Sequence, residues 1–340
     1  MINNRTDRYG KIAKQSCQYI LYEEDYDMTL DNFFYIWISD IRTTVKPNTI
    51  RTYSCAYLNH VSGKLGKLGL SEIKHSDILR TRSRISKEVS PTYTNYIITV
   101  LKMILEEAVR RELITQNPAK NIRGIKVIRK SQSVTHRALT VGEQHDFMTH
   151  IRGKKYYNLL ALLLCTGMRF GEIGALRWDD VDFNRELILV ERTVSYDEKC
   201  HIVITKTPKS QASVRDIPIN SSIRKILMSQ KKLTYGLKKS MNPENLVFLS
   251  DKNGVVENRA VNRFILKAIR EINTSGIMMN KFTCHALRDT FATRYIEQGG
   301  TMQTLKTILG HSSITLTMDL YSHVLPDVRK REMDMIKIEC

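Results

Sequence analysis

None of the six cysteines forms a CxxC pair; Cys17, Cys55, Cys165, Cys200, Cys284 and Cys340 are scattered, which excludes a zinc-finger or disulfide framework. Long apolar runs are also missing. The longest, residues 159–165, is far too short to span a bilayer. The opening MINNRTDRYGKIAKQ lacks the apolar run of a signal peptide. The expected location is cytoplasmic, with reduced thiols and no membrane. No GxxxxGK[ST] pattern is present, which argues against a nucleotide-driven reaction. Asp179, Asp180 and Asp182 are the nearest thing to a carboxylate cluster, and after Trp178 they read as a turn between helix and strand rather than a two-metal site. No cofactor and no metal are expected. There is no internal repeat and no low-complexity block.

What the chain does have is positive charge. Formal net charge is +18, from 53 Lys and Arg against 35 Asp and Glu. The excess is evenly spread: 22 basic against 13 acidic residues in 1–130, and 31 against 22 in 131–340. Each part carries the same surplus, so both can face one polyanion, as nucleic acid would provide. A basic tail would have given a lopsided distribution.

The pattern predicts a helical N-terminal region and a mixed C-terminal one. Residues 1–26 are a polar, then acidic, lead-in. Residues 27–122 read as a four-helix domain. Thr29 caps a helix to about residue 40, Pro47 starts one running through 49–61, a third covers 71–85, and the fourth covers 92–113 with an apolar stripe at Ile97, Val100, Leu101, Ile104 and Ala108. Asn117-Pro118 stops the last. Residues 123–137 are a basic linker. A second domain, 138–326, opens with Thr140 and Glu143 in capping-box spacing. Helices are expected at 140–150, 156–166, 259–272, 284–297, 302–309 and 313–321. Strands are expected at 186–193, 201–205, 213–219 and 246–250. That makes an α+β, mainly helical chain with one small antiparallel sheet. Residues 327–340 form a C-terminal tail.

Four segments hold side chains suited to phosphate chemistry. In TGMRFGEIGALRWDDVDF (166–183) a helix begins near Met168, and Glu172 lies three residues after Arg169, on the same side. A carboxylate can fix a guanidinium fork for a phosphate. In HALRDTFATRYIEQG (285–299), His285 and Arg288 share a helix face one turn apart. In LKTILGHSSITLTMDLYSHV (305–324), Gly310 ends a helix, His311 sits in the turn, and Tyr321 follows ten residues later. In ITKTPKSQASVRDIPI (204–219), Lys206 ends a strand and Lys209 lies in the loop; either can reach a groove. A lone tyrosine is nearly always packing, and a lone loop lysine is solvated. The combination carries the weight. Two arginines can stabilise the charge that builds on the non-bridging oxygens of an attacked phosphodiester. A tyrosine oxygen can store the broken bond as a phosphate ester. A lysine or histidine can protonate the departing sugar oxygen.

Together these segments resemble the catalytic domain of the tyrosine recombinases, or phage-type integrases, most nearly those of Gram-positive phages and conjugative transposons. TGMRxGE, then HxLRxTFAT, then LGHxxxxxTxxxY in that order carries the resemblance, strongly over 139–324 and weakly over 28–122. It implies a helical core-binding domain followed by a catalytic domain, the two clamping double-stranded DNA. It implies catalytic roles for Arg169, Lys206, His285, Arg288, His311 and Tyr321, with Glu172 supporting. Asp289 departs from the histidine that many relatives have after the second arginine. Large relatives carry an extra N-terminal domain for accessory sites, and the 26-residue lead-in is short for one. A homotetramer on DNA, and an excision or host accessory factor, are the implied partners. A type IB topoisomerase would use the same chemistry without paired sites, and a DNA-binding regulator would leave Tyr321 and its companions unexplained.

Overall fold

The computed structural model describes residues 28–127, 137–197, 201–206, 214–234, 236 and 240–310. The chain divides near residue 128 into two compact units, with 196–203 counted in the first. The architecture is the mixed α+β one expected: helices first, then helices with small antiparallel strands.

The first unit is helical. Helix α1 (Leu30–Asp40) begins where the Thr29 hydroxyl accepts from the Asn32 amide, and it buries Phe33, Phe34, Trp37 and Ile38. Helix α2 (Pro47–His60) has proline in its first turn, where no amide proton is needed. Short α3 (Ser62–Leu65), α4 (His75–Glu88) and α5 (Pro91–Arg110) complete the unit. Phe34 stacks on Tyr57 with ring centroids 3.9 Å apart, and the Tyr57 hydroxyl donates to Asp31 at 2.7 Å. The helix expected over 71–85 starts later. Leu70–Glu72 is a 3-10 turn, Ile73 is extended, and α4 begins once Asp77 accepts from the Lys74 amide. The basic stretch from 123 is tied down at its start, because Asn95 on α5 accepts from the Ile125 amide at 2.7 Å and donates to its carbonyl at 2.9 Å.

The second unit opens with α6 (Val141–His150). Thr140 and Glu143 form the expected reciprocal cap, and Arg137 donates a fork of two 2.7 Å bonds to Glu143. Helix α7 (Tyr157–Thr166) is apolar almost all round and sits in the core. Short α8 (Phe170–Gly174) precedes the strands. Strands β1 (Val181–Asp182), β2 (Leu187–Val190) and β5 (Arg215–Pro218) form one antiparallel sheet in the order β1-β2-β5. Strands β3 (Thr193–Tyr196) and β4 (Ile202–Thr205) pair separately. The single strand expected over 186–193 is therefore split, and the single sheet is two. The break falls at Glu191 and Arg192, where Arg192 pairs with Asp180 and with Glu191. The strand expected over 246–250 reduces to one bridge, Arg177 to Leu246.

Helix α9 (Ser221–Thr234) was not anticipated from the sequence. Its inward positions are Ile223, Leu227 and Gln230, so a glutamine interrupts the apolar stripe. Gln230 is buried because its amide donates to the Val247 carbonyl at 2.9 Å and accepts from Asn158 at 3.1 Å. Helices α10 (Asn258–Thr274), α11 (Cys284–Glu297) and α12 (Met302–Leu309) follow. Helix α7 packs between α9 and α11. Among the described residues, no helix is long and apolar enough to cross a membrane. The lead-in 1–26, most of the basic linker, Lys209, the helix expected over 313–321 and the tail 327–340 lie outside the described residues.

Candidate active site

Arg169 occupies the cap position of α8. Its own amide donates to Glu172 at 2.8 Å, and its guanidinium Nη1 donates to the other Glu172 oxygen at 2.8 Å. Its Nη2 donates to the Gly310 carbonyl at 3.0 Å. These contacts use two of the five guanidinium N–H groups, and 40% of the side chain remains exposed. Glu172 itself is buried. Burial alone would push its carboxyl up, but hydrogen bonds from Arg215 and Arg169 hold it below the usual carboxylate range.

Arg288 lies on α11 and is almost fully buried. Its Nη1 donates to the Gly167 carbonyl and its Nη2 to the Leu309 carbonyl, both at 2.7 Å. These two carbonyl oxygens orient the guanidinium. Gly167 and Gly310 are both left-handed, at φ +62° and +63°, and end α7 and α12. A side chain at Gly167 would collide with Phe291 on α11. The absence of one lets α7 end close enough to offer its carbonyl to Arg288.

Sequence reasoning missed Arg215. It stands on β5, where alternation puts Arg215 and Ile217 inward and Asp216 and Pro218 outward. Period-two reading of that strand was the signal that could have found it. Its Nη1 and Nη2 donate to the two Glu172 oxygens at 3.2 and 2.8 Å, and its Nε donates to the Ile308 carbonyl. Three arginines from three elements thus meet the last carbonyls of α12 in succession: Arg215 at Ile308, Arg288 at Leu309 and Arg169 at Gly310. Cations suit a helix C-terminus, where the carbonyls point outward unsatisfied. Three guanidiniums stand against the one carboxylate of Glu172, so these four side chains keep an excess of positive charge.

The structure therefore brings Arg169, Glu172 and Arg288 together around the turn that leads into His311. Two other expected residues are placed differently. His285, one turn before Arg288, is about half exposed, with Nε2 3.8 Å from Asp289 Oδ1. Sharing a helix face did not give these two equal depth, since Arg288 is buried. Lys206 follows β4, is 72% exposed and lies 3.9 Å from Glu191. His311 and Tyr321 lie outside the described residues, as does Lys209. Among the described residues no group of three His, Cys, Asp or Glu side chains could hold a metal ion.

This cluster, two buried arginines and one part-exposed, has the charge to hold an anion, and comparison with known proteins gives the chain a family. The description "Phage integrase family" matches residues 137–327, and "Phage integrase, N-terminal SAM-like domain" matches 29–86. The chain belongs to the phage integrase family, the tyrosine class of DNA recombinases. It is 26% identical over 330 residues to a protein called tyrosine recombinase XerC-like from Caldanaerobacter subterraneus subsp. tengcongensis, covering 91% of this chain and 83% of that one. It is 24% identical over 310 residues to the ICEBs1 integrase of Bacillus subtilis, covering 88% and 80%. Its structure is similar to that of the Tn1549 transposon integrase in complex with transposon right end DNA, with a TM-score of 0.75, 25% identity, and coverage of 91% of this chain and 99% of that one.

Proposed function

We propose that this chain is a site-specific recombinase that integrates or excises a mobile element by cutting and rejoining double-stranded DNA. The observation that carries the reading is the convergence of Arg169 and Arg288 on neighbouring carbonyls at the turn before His311, with more guanidinium than carboxylate charge. The helical region 27–122 acts as the core-binding domain, 123–137 as the linker and 138–326 as the catalytic domain. Two relatives are named as integrases, one of them of a transposon, and this favours a mobile-element role.

In this reading the Tyr321 phenolic oxygen attacks the scissile phosphorus. One P–O bond to tyrosine forms as the bond to the 5′ oxygen breaks, giving a 3′-phosphotyrosyl link. Arg169 and Arg288 hold the non-bridging oxygens, and Glu172 fixes Arg169. His311 adds a hydrogen bond to the same phosphate. His285 orients Tyr321 or takes its proton. Lys206 gives a proton to the departing 5′ oxygen. In rejoining, a 5′-hydroxyl from another strand attacks the phosphotyrosine and returns the phenol. The bond energy is conserved, so the reaction needs no nucleotide. Two duplexes with two half-sites each call for four protomers on DNA. The tail 327–340 docks on a neighbouring protomer, and an excision or host accessory factor sets direction. The protein works in the cytoplasm, on DNA.

The test is a cleavage assay on nicked duplexes tiled from the DNA flanking the gene, with Tyr321→Phe as control. Wild type should give a covalent complex that survives denaturant. The variant should bind DNA and form none. A covalent complex with Tyr321→Phe would remove the assignment.

A further inference from the structure

The contact that ties the cluster together is made by a residue outside the set of direct phosphate ligands. Arg215 is 7% exposed, on a strand whose partner position is Val190 of β2. An arginine so deep is stable only if its charge and its N–H groups are met. Arg215 meets both, and with two different elements: the Glu172 carboxylate on α8 and the Ile308 carbonyl at the end of α12.

Glu172 is then used to capacity. Oε1 accepts from Arg169 Nη1 and Arg215 Nη1, and Oε2 accepts from the Arg169 amide and Arg215 Nη2. A carboxylate offers about four acceptor positions, and these four contacts fill them. Glu172 is thus a junction and not a base. What it passes to Arg169 depends on how Arg215 holds it. By the same side chain, Arg215 also fixes the carbonyl two residues before Gly310, which Arg169 itself touches.

We infer that Arg215 is a positioning residue for the strand-transfer reaction: through Glu172 and the end of α12 it sets the placement of the Arg169 guanidinium relative to the Gly310 carbonyl. The inference rests on the reading of Arg169 as a phosphate ligand. Lysine in place of Arg215 keeps the charge and loses the fork, so its single nitrogen cannot reproduce the two-point contact with Glu172 together with the bond to Ile308. A misplacement of about 1 Å at a group that stabilises transition-state charge costs on the order of 100-fold in rate.

The experiment compares two nicked duplexes, one with an ordinary scissile phosphate and one with a methylphosphonate there. The methyl replaces a non-bridging oxygen and removes the charge that Arg169 would stabilise. The full chain is used, as wild type, R215K, R215Q, E172D and R169A, each checked for folding by thermal unfolding and for DNA binding. R215K should bind DNA as wild type does, cleave the phosphate on the order of 100-fold more slowly, and lose most of that defect on the methylphosphonate. E172D, which keeps the charge and shortens its reach, should show the same selective relief. R215K that cleaves normally, or is slowed equally on both duplexes, overturns the inference. A set in which no variant at 215 or 172 folds and binds DNA also overturns it, making Arg215 a folding residue only. R169A separates the two claims. If R169A gains nothing on the methylphosphonate, the phosphate-ligand reading itself fails. If R169A is relieved and R215K is not, the inference about Arg215 fails alone.

Discussion

Glu172 grips Arg169 twice, accepting from its backbone amide and from its guanidinium, each at 2.8 Å. The first contact starts helix α8 and the second aims the side chain, so local folding and site geometry share one carboxylate. The carboxyl is held below its ordinary pKa, so its contribution to stability is complete at neutral pH. It fades as pH falls below the unfolded value, about 4.3, and through the lower folded one. Glu143, gripped by Arg137, is shifted the same way against its own burial. Urea unfolding from pH 7 down to pH 3 should show stability falling in acid, with a shallower fall in Glu172→Gln. Glu172→Ala leaves the buried Arg215 without its carboxylate and should cost about 3–5 kcal/mol at pH 7. A loss under about 1 kcal/mol would mean that the ion pair contributes little.

Lys206 stands at the end of β4, exposed and near Glu191. If it protonates the leaving 5′ oxygen, its value depends on how much that oxygen needs a proton. Lys206→Ala should slow cleavage of an ordinary phosphodiester by about 10²–10⁴-fold, the usual contribution of a positioned acid. On a duplex with a 5′-thiol leaving group, which departs without an acid, the loss should largely vanish. Equal slowing on both substrates would move the role to Lys209 or to DNA positioning.

Thr290 is buried on α11 and works in two directions. Its hydroxyl donates to the Ala286 carbonyl at 2.6 Å and accepts from the Leu139 amide at 2.9 Å. That second bond fastens the start of the second unit to the helix carrying Arg288. Thr290→Val keeps the shape and orphans a buried amide, so it should cost about 1–3 kcal/mol in chemical denaturation. Thr290→Ser keeps the hydroxyl and should recover most of the loss. A loss with Thr290→Ser and none with Thr290→Val would place the effect in packing of the methyl group.

Much of this was legible in the residues. Thr29 and Thr140 announce their helices because a capping side chain and its target lie three residues apart, which sequence displays directly. Cys284–Glu297 and Met302–Leu309 were read with their observed bounds. Helix α9 was not, since Gln230 takes a core position through bonds to Val247 and Asn158, partners remote in the chain. Arg169, Glu172 and Arg288 could be named from motif order, but not the depth of Arg288 or the exposure of His285. Arg215 escaped because an arginine in a loop-flanked strand reads as solvated. Only the tertiary approach of α8 and α12 supplies the partners that make its burial tolerable.

Gly167 joins the end of α7 to the site. Its left-handed backbone, at φ +62°, caps the helix, and its carbonyl accepts from Arg288 Nη1 at 2.7 Å. Gly167→Ala imposes a backbone strain of about 1–2 kcal/mol and also drives a methyl into the ring of Phe291, where the core cannot readily yield. Relief requires the turn to move, and the carbonyl that orients Arg288 moves with it. The expected result is a fall in melting temperature together with a loss of covalent complex formation larger than the loss of DNA binding. Phe291→Leu in the same chain removes part of the obstruction, so the double variant should regain some stability and some cleavage relative to Gly167→Ala alone. Should the double variant recover stability but no cleavage, the backbone strain and not the collision would be what displaces Arg288.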